Sequence, residues 1–412
     1  NRSGLVLLLP QSALAGGLQA PDRSGDAGPV ERSSRVVSSN PAAMGFIDGF
    51  AVGLSNALTL RTQRFEPEDD GEAARSTTLQ TYPYVSHVND AGTDWLHAGF
   101  TAELPWRYGA DWPTDGPQRF DSIFRNVKAV HLTPAVAFTP VDWLHIGVSA
   151  SLVQTEFSSY RAVDFGPIVA RQQGVDPESV PRRDPGNEGR ESLEFSGNSG
   201  RWSVGVALEP GPWRIGASYH SPINLELGGT FELLIPRNDF YNDRYGGDIS
   251  HSATFDTRWP SRAEFGLARS FDDSDFYAQL EWTHWSQVDD VELIVEDAAS
   301  PWDWDRTLPF DRNDTFEIRL GGHTPLSETV SLDAEIGMET SAIPDDQLSA
   351  RETDAPKVVA GAGVRWAISE MFTLRTGYQN LFFLPRSVDG EAAGTYRQNL
   401  GLLETSLSFN YQ

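Results

Sequence analysis

The sequence predicts an all-β fold: a transmembrane antiparallel β-barrel of about fourteen strands with an amino-terminal hatch in its lumen. Three observations predict it. Six short turns join pairs of alternating, aromatic-rich segments, long polar loops separate those pairs, and a small, polar stretch without strand period precedes the first segment. The turns read Asn89-Asp90-Ala91-Gly92-Thr93-Asp94, Thr139-Pro140-Val141-Asp142, Glu209-Pro210-Gly211-Pro212, Phe271-Asp272-Asp273-Ser274-Asp275, Pro325-Leu326-Ser327-Glu328 and Ile368-Ser369-Glu370-Met371. Tight periplasmic turns alternating with wide extracellular loops are the signature of an outer-membrane barrel.

Composition bounds the alternatives. The chain has 412 residues, 39% of them hydrophobic, and a mean hydropathy of -0.38. No run approaches the roughly 18 apolar residues of a spanning helix, which excludes a helical membrane protein. A spanning strand needs only about 9–11 residues with every second one facing lipid, so a barrel tolerates this polarity. The absence of cysteine removes disulfides, thiolate metal sites and cysteine nucleophiles. A net charge of -26 opposes nucleic-acid binding, which needs clustered Lys and Arg. Acid runs at Glu66-Pro67-Glu68-Asp69-Asp70-Gly71-Glu72, Asp289-Asp290 and Asp345-Asp346 are solvated loop tips or, alternatively, sites for calcium or for the cations that bridge lipopolysaccharide. No cofactor or metal motif is expected, since no nucleotide loop, metal cluster or spaced Asp-x-Asp-x-Asp-Gly loop is present.

At the amino end, Gly4-Leu5-Val6-Leu7-Leu8-Leu9-Pro10 and Ala13-Leu14-Ala15 resemble the tail of a secretory signal with its A-x-A cleavage site. The expected organisation is therefore a signal remnant over 1–15, a hatch over 16–45 and a barrel over 46–412. Period-2 segments then follow in order at about 46–65, 77–89, 94–105, 127–138, 142–165, 192–209, 212–235, 251–270, 275–296, 313–325, 329–343, 356–368, 371–386 and 396–411. Around the third turn Trp202, Val204, Val206 and Leu208 alternate with Arg201, Ser203, Gly205 and Ala207, so one face suits lipid and the other does not. Trp95, Trp143, Trp213 and Phe372 lie beside short turns, where an interfacial aromatic girdle belongs. The last segment, with Leu403, Leu407, Phe409 and Tyr411 on one face, looks like the strand that outer-membrane assembly machinery reads, although Gln412 follows the aromatic.

Placing the apolar face against lipid turns His97, His131, His145, Arg214, His220, Glu264, Glu281, Glu317, Arg319, Asp333, Glu335, Arg365 and Arg375 inward. Both signs occur, so they can pair across the wall; alternatively Arg319, Arg365 or Arg375 receives a ligand carboxylate. The same face carries Gly99, Gly147, Gly205, Gly216, Gly266, Gly321, Gly361, Gly363 and Gly377, a sign that other backbone packs there. The segment 16–45 is the candidate, and a barrel so plugged is no open diffusion pore.

Ser38-Ser39-Asn40-Pro41-Ala42-Ala43-Met44 resembles the Asn-Pro-Ala signature in the hatch of FadL-type outer-membrane transporters of long-chain fatty acids and other hydrophobic compounds. Phe276-Tyr277-Ala278-Gln279-Leu280-Glu281-Trp282-Thr283-His284-Trp285-Ser286 is similar to that family's strand ending in Trp-Ser. Ser341-Ala342-Ile343-Pro344-Asp345-Asp346 and Asp354-Ala355-Pro356-Lys357-Val358-Val359-Ala360-Gly361-Ala362-Gly363 look like its proline-containing turn and glycine-rich strand. The resemblance implies a hatch, with Asn40, Pro41 and Ala42 in it, a hydrophobic ligand site beside it, and sideways release into the membrane by facilitated diffusion. The expected protein is a monomer in the bacterial outer membrane, bathed in lipid and lipopolysaccharide, and not an enzyme. A general porin for polar solutes and an outer-membrane lipid hydrolase, for which Ser218 and His220 are available, are the alternatives.

Overall fold

A computed structural model of the chain describes residues 27–411 except 69–70, 177–178, 182–183, 289–290, 297–305, 309–310 and 390–392. The signal reading for 1–15, the hatch residues before 27 and the acid pairs at 69–70 and 289–290 lie outside them. All the described strands belong to one sheet. They form fourteen barrel strands: β1 (Phe50–Pro67), β2 (Ala74–Asn89), β3 (Leu96–Asp111), β4 (Phe124–Val141), β5 (Leu144–Asp164), β6 (Glu188–Leu208), β7 (Trp213–His220 and Ile223–Leu234), β8 (Ile249–Trp259 and Arg262–Phe271), β9 (Ser274–Thr283 and Val291–Val295), β10 (Arg306–Leu308 and Thr315–Pro325), β11 (Val330–Glu339), β12 (Lys357–Ala367), β13 (Phe372–Phe383 and Arg386–Val388) and β14 (Gly394–Tyr411). Sequence neighbours pair antiparallel, and β1 closes the circle on β14 from Phe50↔Tyr411 to Pro67↔Gly394. Closure removes the free edge that would otherwise expose backbone donors and acceptors to hydrocarbon.

The alternation acts as expected. Ile146, Val148, Leu152, Trp202, Val204, Phe265, Ile318, Leu320 and Phe382 point outward and are exposed, while Arg201, Arg214, His131, His145 and Arg319 point inward and are buried. Trp95, Trp143 and Phe372 are exposed beside their turns, and Trp213 lies half-buried under the Arg269 guanidinium.

Three differences from the expected spans have physical causes. Strand β1 begins at Phe50 rather than 46, because Asn40 and Pro41 start a 3-10 turn over Pro41–Phe46. Strands β7, β8 and β9 are broken at 221–222, at 260–261 and after Thr283. Pro222 and Pro260 supply no N–H to the ladder at the first two breaks. The eleventh strand stops at Glu339, well before 343, because Ser341 and Ala342 turn back to donate to the Asp354 carboxylate at 3.0 and 2.8 Å.

Ile318→Arg places a charge on the lipid face of β10 and is expected to lower stability by about 2–4 kcal/mol, measured by urea unfolding in lipid vesicles. Loss of well under 1 kcal/mol would show that this face does not meet hydrocarbon.

Candidate functional site

The described hatch, residues 27–49, folds as a short turn (Gly28–Val30), one helical turn α1 (Val36–Ser39) and the 3-10 turn over Pro41–Phe46. Asn40 sits at their junction, wholly buried. Its Oδ1 accepts from Ala42 N at 3.1 Å and caps the 3-10 turn, while Nδ2 donates to Pro29 O at 2.9 Å and to Val206 O on β6 at 3.1 Å. Pro41 takes the first position of the turn, where its missing N–H costs nothing. One side chain thus joins both halves of the hatch to the wall.

The wall makes room with glycine. A Cβ on Gly205 would collide with Asn40 Oδ1, and one on Gly147 with the backbone of Pro41 and Ala42. Gly99, Gly216 and Gly266 likewise face Met44, Pro29 and Val30. Gly321 and Gly363 meet wall atoms instead, so only part of the expected glycine set seats the hatch. Val36, Val37, Ala42, Ala43 and Met44 pack with Ala135, Ala137 and Ala207 into a separate small core.

Further ties are polar. Ser34 Oγ and Ser86 Oγ stand 2.7 Å apart, Tyr84 OH donates to Arg35 O at 3.1 Å, and Arg214 Nε donates to Val30 O at 3.1 Å. His220 Nε2 lies 2.9 Å from Ser39 O, and its Nδ1 lies 2.7 Å from Ser203 Oγ. Both ring nitrogens are thereby engaged, and Ser218 Oγ is 3.4 Å away from a nitrogen already bonded to the hatch.

Arg365 on β12 and Arg375 on β13 stand opposite one another, Arg319 on β10 lies further along the wall in a separate set of ion pairs, and protein carboxylates engage all three. Asp333 bridges Arg365 and Arg375 at 2.9 and 2.7 Å, with His323 at 3.3 Å. Arg375 continues to Glu404 at 3.3 Å, and Glu404 pairs with Arg35 of the hatch. Arg319 binds Glu317 at 2.6 Å and reaches Glu335 at 3.6 Å. A ligand carboxylate at the Nε of any of these arginines would displace one of these partners. A polar cavity of about 160 Å³ beside this network is lined by Glu31, Arg32, Arg214, Asp275, His323 and Arg365.

On the other side of the hatch a cavity of about 120 Å³ runs from Leu104 and Trp106 on β3 to His131, Arg201 and His220. Above it the lumen is filled by an apolar cluster in which Trp106 stacks on Trp259 at 4.9 Å and meets Trp285 edge-on at 6.2 Å, and Phe157 and Phe195 pack on Phe255. The breaks in β8 and β9 carry Trp259 and Trp285 inward.

The β2–β3 ladder ends beside this cavity. Strand β2 pairs with β3 only from Tyr84↔Glu103 to Asn89↔Ala98, and the β3–β4 register shifts between Glu103 and Trp106, at Pro105. Beyond that point side chains hold the seam: Thr78 Oγ1 to Gly109 O at 3.2 Å, Tyr82 OH to Arg107 O at 3.2 Å, Arg107 Nη1 to Thr81 O at 2.6 Å, and Asp111 N to Ser76 Oγ at 2.9 Å. This seam and Arg201 are not among the sequence-derived candidates; a proline inside a strand and the inward parity of Arg201 were the available signals.

At the loop end, residues 340–356 fold over the lumen. Trp112 Nε1 donates to Ala350 O at 3.0 Å, and Glu352 is buried between Arg125 and Arg312 at 3.2 and 3.4 Å. Burial pushes the Glu352 carboxyl up to about 7, against the pull of those two guanidinia.

Asn40→Ala leaves Ala42 N and Pro29 O without their side-chain partner and removes the tie to Val206 O, an expected cost of about 2–3 kcal/mol to hatch seating; hydrogen exchange at residues 42–44 should accelerate sharply, and unchanged protection would deny Asn40 this role. Because the folded-state pKa of Glu352 lies above the ordinary carboxylate value, the inward loop is favoured most below about pH 4 and loses that contribution as pH rises through 7. Exchange over 349–354, corrected for intrinsic rate, is expected to be faster at pH 8 than at pH 5.5, and Glu352→Gln to flatten the dependence.

The model of the outer membrane protein transport protein family (OMPP1/FadL/TodX) matches residues 11–408. No curated protein sequence matches the chain. Among solved structures, a Pseudomonas aeruginosa FadL homologue superposes with a TM-score of 0.83 at 16% identity, covering 96% of this chain and 100% of that one. The Ralstonia pickettii toluene transporter TbuX gives 0.68 at 16% identity over 98% and 99%, and the Pseudomonas putida toluene transporter TodX gives 0.67 at 15% over 95% and 99%. With a closed fourteen-stranded barrel and a hatch in its lumen, the chain belongs to the OMPP1/FadL/TodX family of outer-membrane transport proteins, which are channels and not enzymes.

Proposed function

We propose that this protein carries hydrophobic small molecules inward across the outer membrane by facilitated diffusion, taking them into the apolar upper lumen and releasing them sideways between β2 and β3. The observation that carries this reading is the contrast between the two sides of the hatch. Below the hatch run ion pairs and a polar cavity, through which an apolar solute would have to shed its favourable surroundings. Beside the cavity above it, the β2–β3 ladder ends at Tyr84↔Glu103, and beyond that point the seam is held by a few side-chain bonds.

The seated hatch and the packed Trp and Phe cluster argue against a general porin. The similar solved structures are transporters of toluene and a FadL homologue, which supports hydrophobic cargo. The arginines 319, 365 and 375, held by Asp333, Glu335 and Glu404, serve as anchors of the hatch floor, and lipid and lipopolysaccharide are the surroundings of a monomeric barrel. No energy-coupling motif is needed when the cargo runs down its gradient.

A Cβ on Gly109 falls 3.9 Å from Thr78 Cγ2 and 2.6 Å from Gln80 Nε2, so Thr78→Cys with Gly109→Cys, made in a Gln80→Ala background that clears the space, offers a disulfide across the seam in a chain that otherwise has no cysteine. Oxidation is expected to abolish uptake of radiolabelled toluene or dodecanoate and dithiothreitol to restore it; uptake that ignores the crosslink rules out this seam. In planar bilayers the protein is expected to give no steady single-channel current, whereas large steady currents would restore the porin reading.

A further inference from the structure

Like charges set directly opposite one another on neighbouring strands repel, so a sheet that lines them up calls for something of opposite sign beside them. The outer face carries such a row where the barrel closes. Arg64 on β1 stands opposite Arg397 on β14 on one side and opposite Arg75 on β2 on the other. All three are exposed and point away from the lumen, since their strand neighbours Phe65, Ser76 and Tyr396 take the buried inward parity. One carboxylate serves the row. Glu66 meets Arg64 at 3.0 Å and Arg397 at 3.4 Å through different oxygens, and both arginine side chains stay more than half exposed. Arg75 has no ion-pair partner among the described residues. In a chain of 58 acidic and 32 basic residues, three arginines in register around one glutamate reverse the local sign.

The same ladders fix the depth of the row. Read from the short turns toward the loops, outward positions pair Leu54 with Val85 and Leu407, then Leu60 with Leu79, then Thr62 with Thr77 and Asn399, and then the arginines. Leu54, Leu60, Leu79, Val85 and Leu407 are exposed apolar side chains, as hydrocarbon requires. Arg64 lies two outward positions beyond Leu60, roughly 13 Å along the strand and about 10 Å in height for a tilted barrel strand. The row therefore sits past the apolar band on the loop side, at the level of the outer leaflet's headgroups. A guanidinium grips phosphate through two parallel N–H donors, and clustered basic side chains at headgroup depth recognise phosphorylated lipid. We infer that Arg64, Arg75 and Arg397 form a site for the phosphate groups of an outer-leaflet lipopolysaccharide molecule, whose acyl chains lie against Leu60 and Leu79. Glu66 orients Arg64 and Arg397 within it. The site rests on the outer-membrane location of the barrel and stands apart from what the lumen carries.

The test measures binding of lipid A, the phosphorylated glycolipid end of lipopolysaccharide, to the whole protein in detergent with EDTA present, by microscale thermophoresis. Wild type is expected to bind it about ten-fold or more tighter than the same lipid freed of phosphate. Arg64→Gln, Arg75→Gln and Arg397→Gln together should bring the two affinities level through loss of phosphorylated-lipid binding alone, and inorganic phosphate should not compete. Equal affinities in wild type, or an unchanged ratio in the triple variant, overturn the site. Binding that appears only when calcium replaces EDTA also overturns it, and assigns the lipid to cation bridging through the acid run that begins at Glu66. Competition by inorganic phosphate would make the row a site for the free anion in place of the lipid. The wild-type ratio decides the matter even if the triple variant fails to fold.

Discussion

Asn40 is wholly buried, and a buried carboxamide must satisfy both its oxygen and its amine or cost the fold about 1–3 kcal/mol. Here it does so with the hatch turn that follows it, the hatch turn that precedes it and the wall. Much else is arranged around that knot. Gly205 and Gly147 give up their side chains so that Asn40, Pro41 and Ala42 can lie on the strands, and the small core of valines, alanines and Met44 fills the space between. A hatch held this way closes the barrel axis, so any cargo needs another exit.

The two halves of the lumen differ in kind. Toward the short turns, Asp333 gathers Arg365, Arg375 and His323, and the chain of ion pairs runs through Glu404 to Arg35. Inside a low-dielectric wall such a network is held together because each charge would be costly alone. Toward the loops, aromatic rings fill the space and the inward loop around Glu352 covers it. Between these lies the cavity with Arg201, and beside it the β2–β3 seam, which side chains hold in place of a ladder next to the proline of β3. The physical contrast supplies direction: apolar surroundings lead to the seam, and polar ones lie beyond the hatch.

Much of this was legible in the residues. The six turns are local signals, five carrying Gly, Pro or Asp and the sixth Ser369, whose Oγ accepts from the backbone of Met371 and Phe372, and parity along a strand is set by the pleat, so the identity of the lumen charges follows from residue order alone. Asn40-Pro41 is likewise local, a cap and a first-turn proline. What could not be read depends on register. The pairing of Arg365 and Arg375 through one aspartate needs the offsets of β11, β12 and β13. The breaks that bring Trp259 and Trp285 onto Trp106 follow from Pro260 and a 3-10 turn at 285–287 within segments whose period otherwise reads as continuous.

The central claim is that cargo leaves through the wall while the hatch stays seated. Ser34 Oγ and Ser86 Oγ lie 2.7 Å apart across the hatch–wall boundary, so Ser34→Cys with Ser86→Cys can lock the hatch to β2 by a disulfide. Uptake of a radiolabelled hydrophobic solute, measured in cells before and after oxidation, tests the claim directly. Unchanged uptake with the hatch locked is the predicted result; uptake lost on oxidation and recovered on reduction would show that the hatch must move and would contradict it.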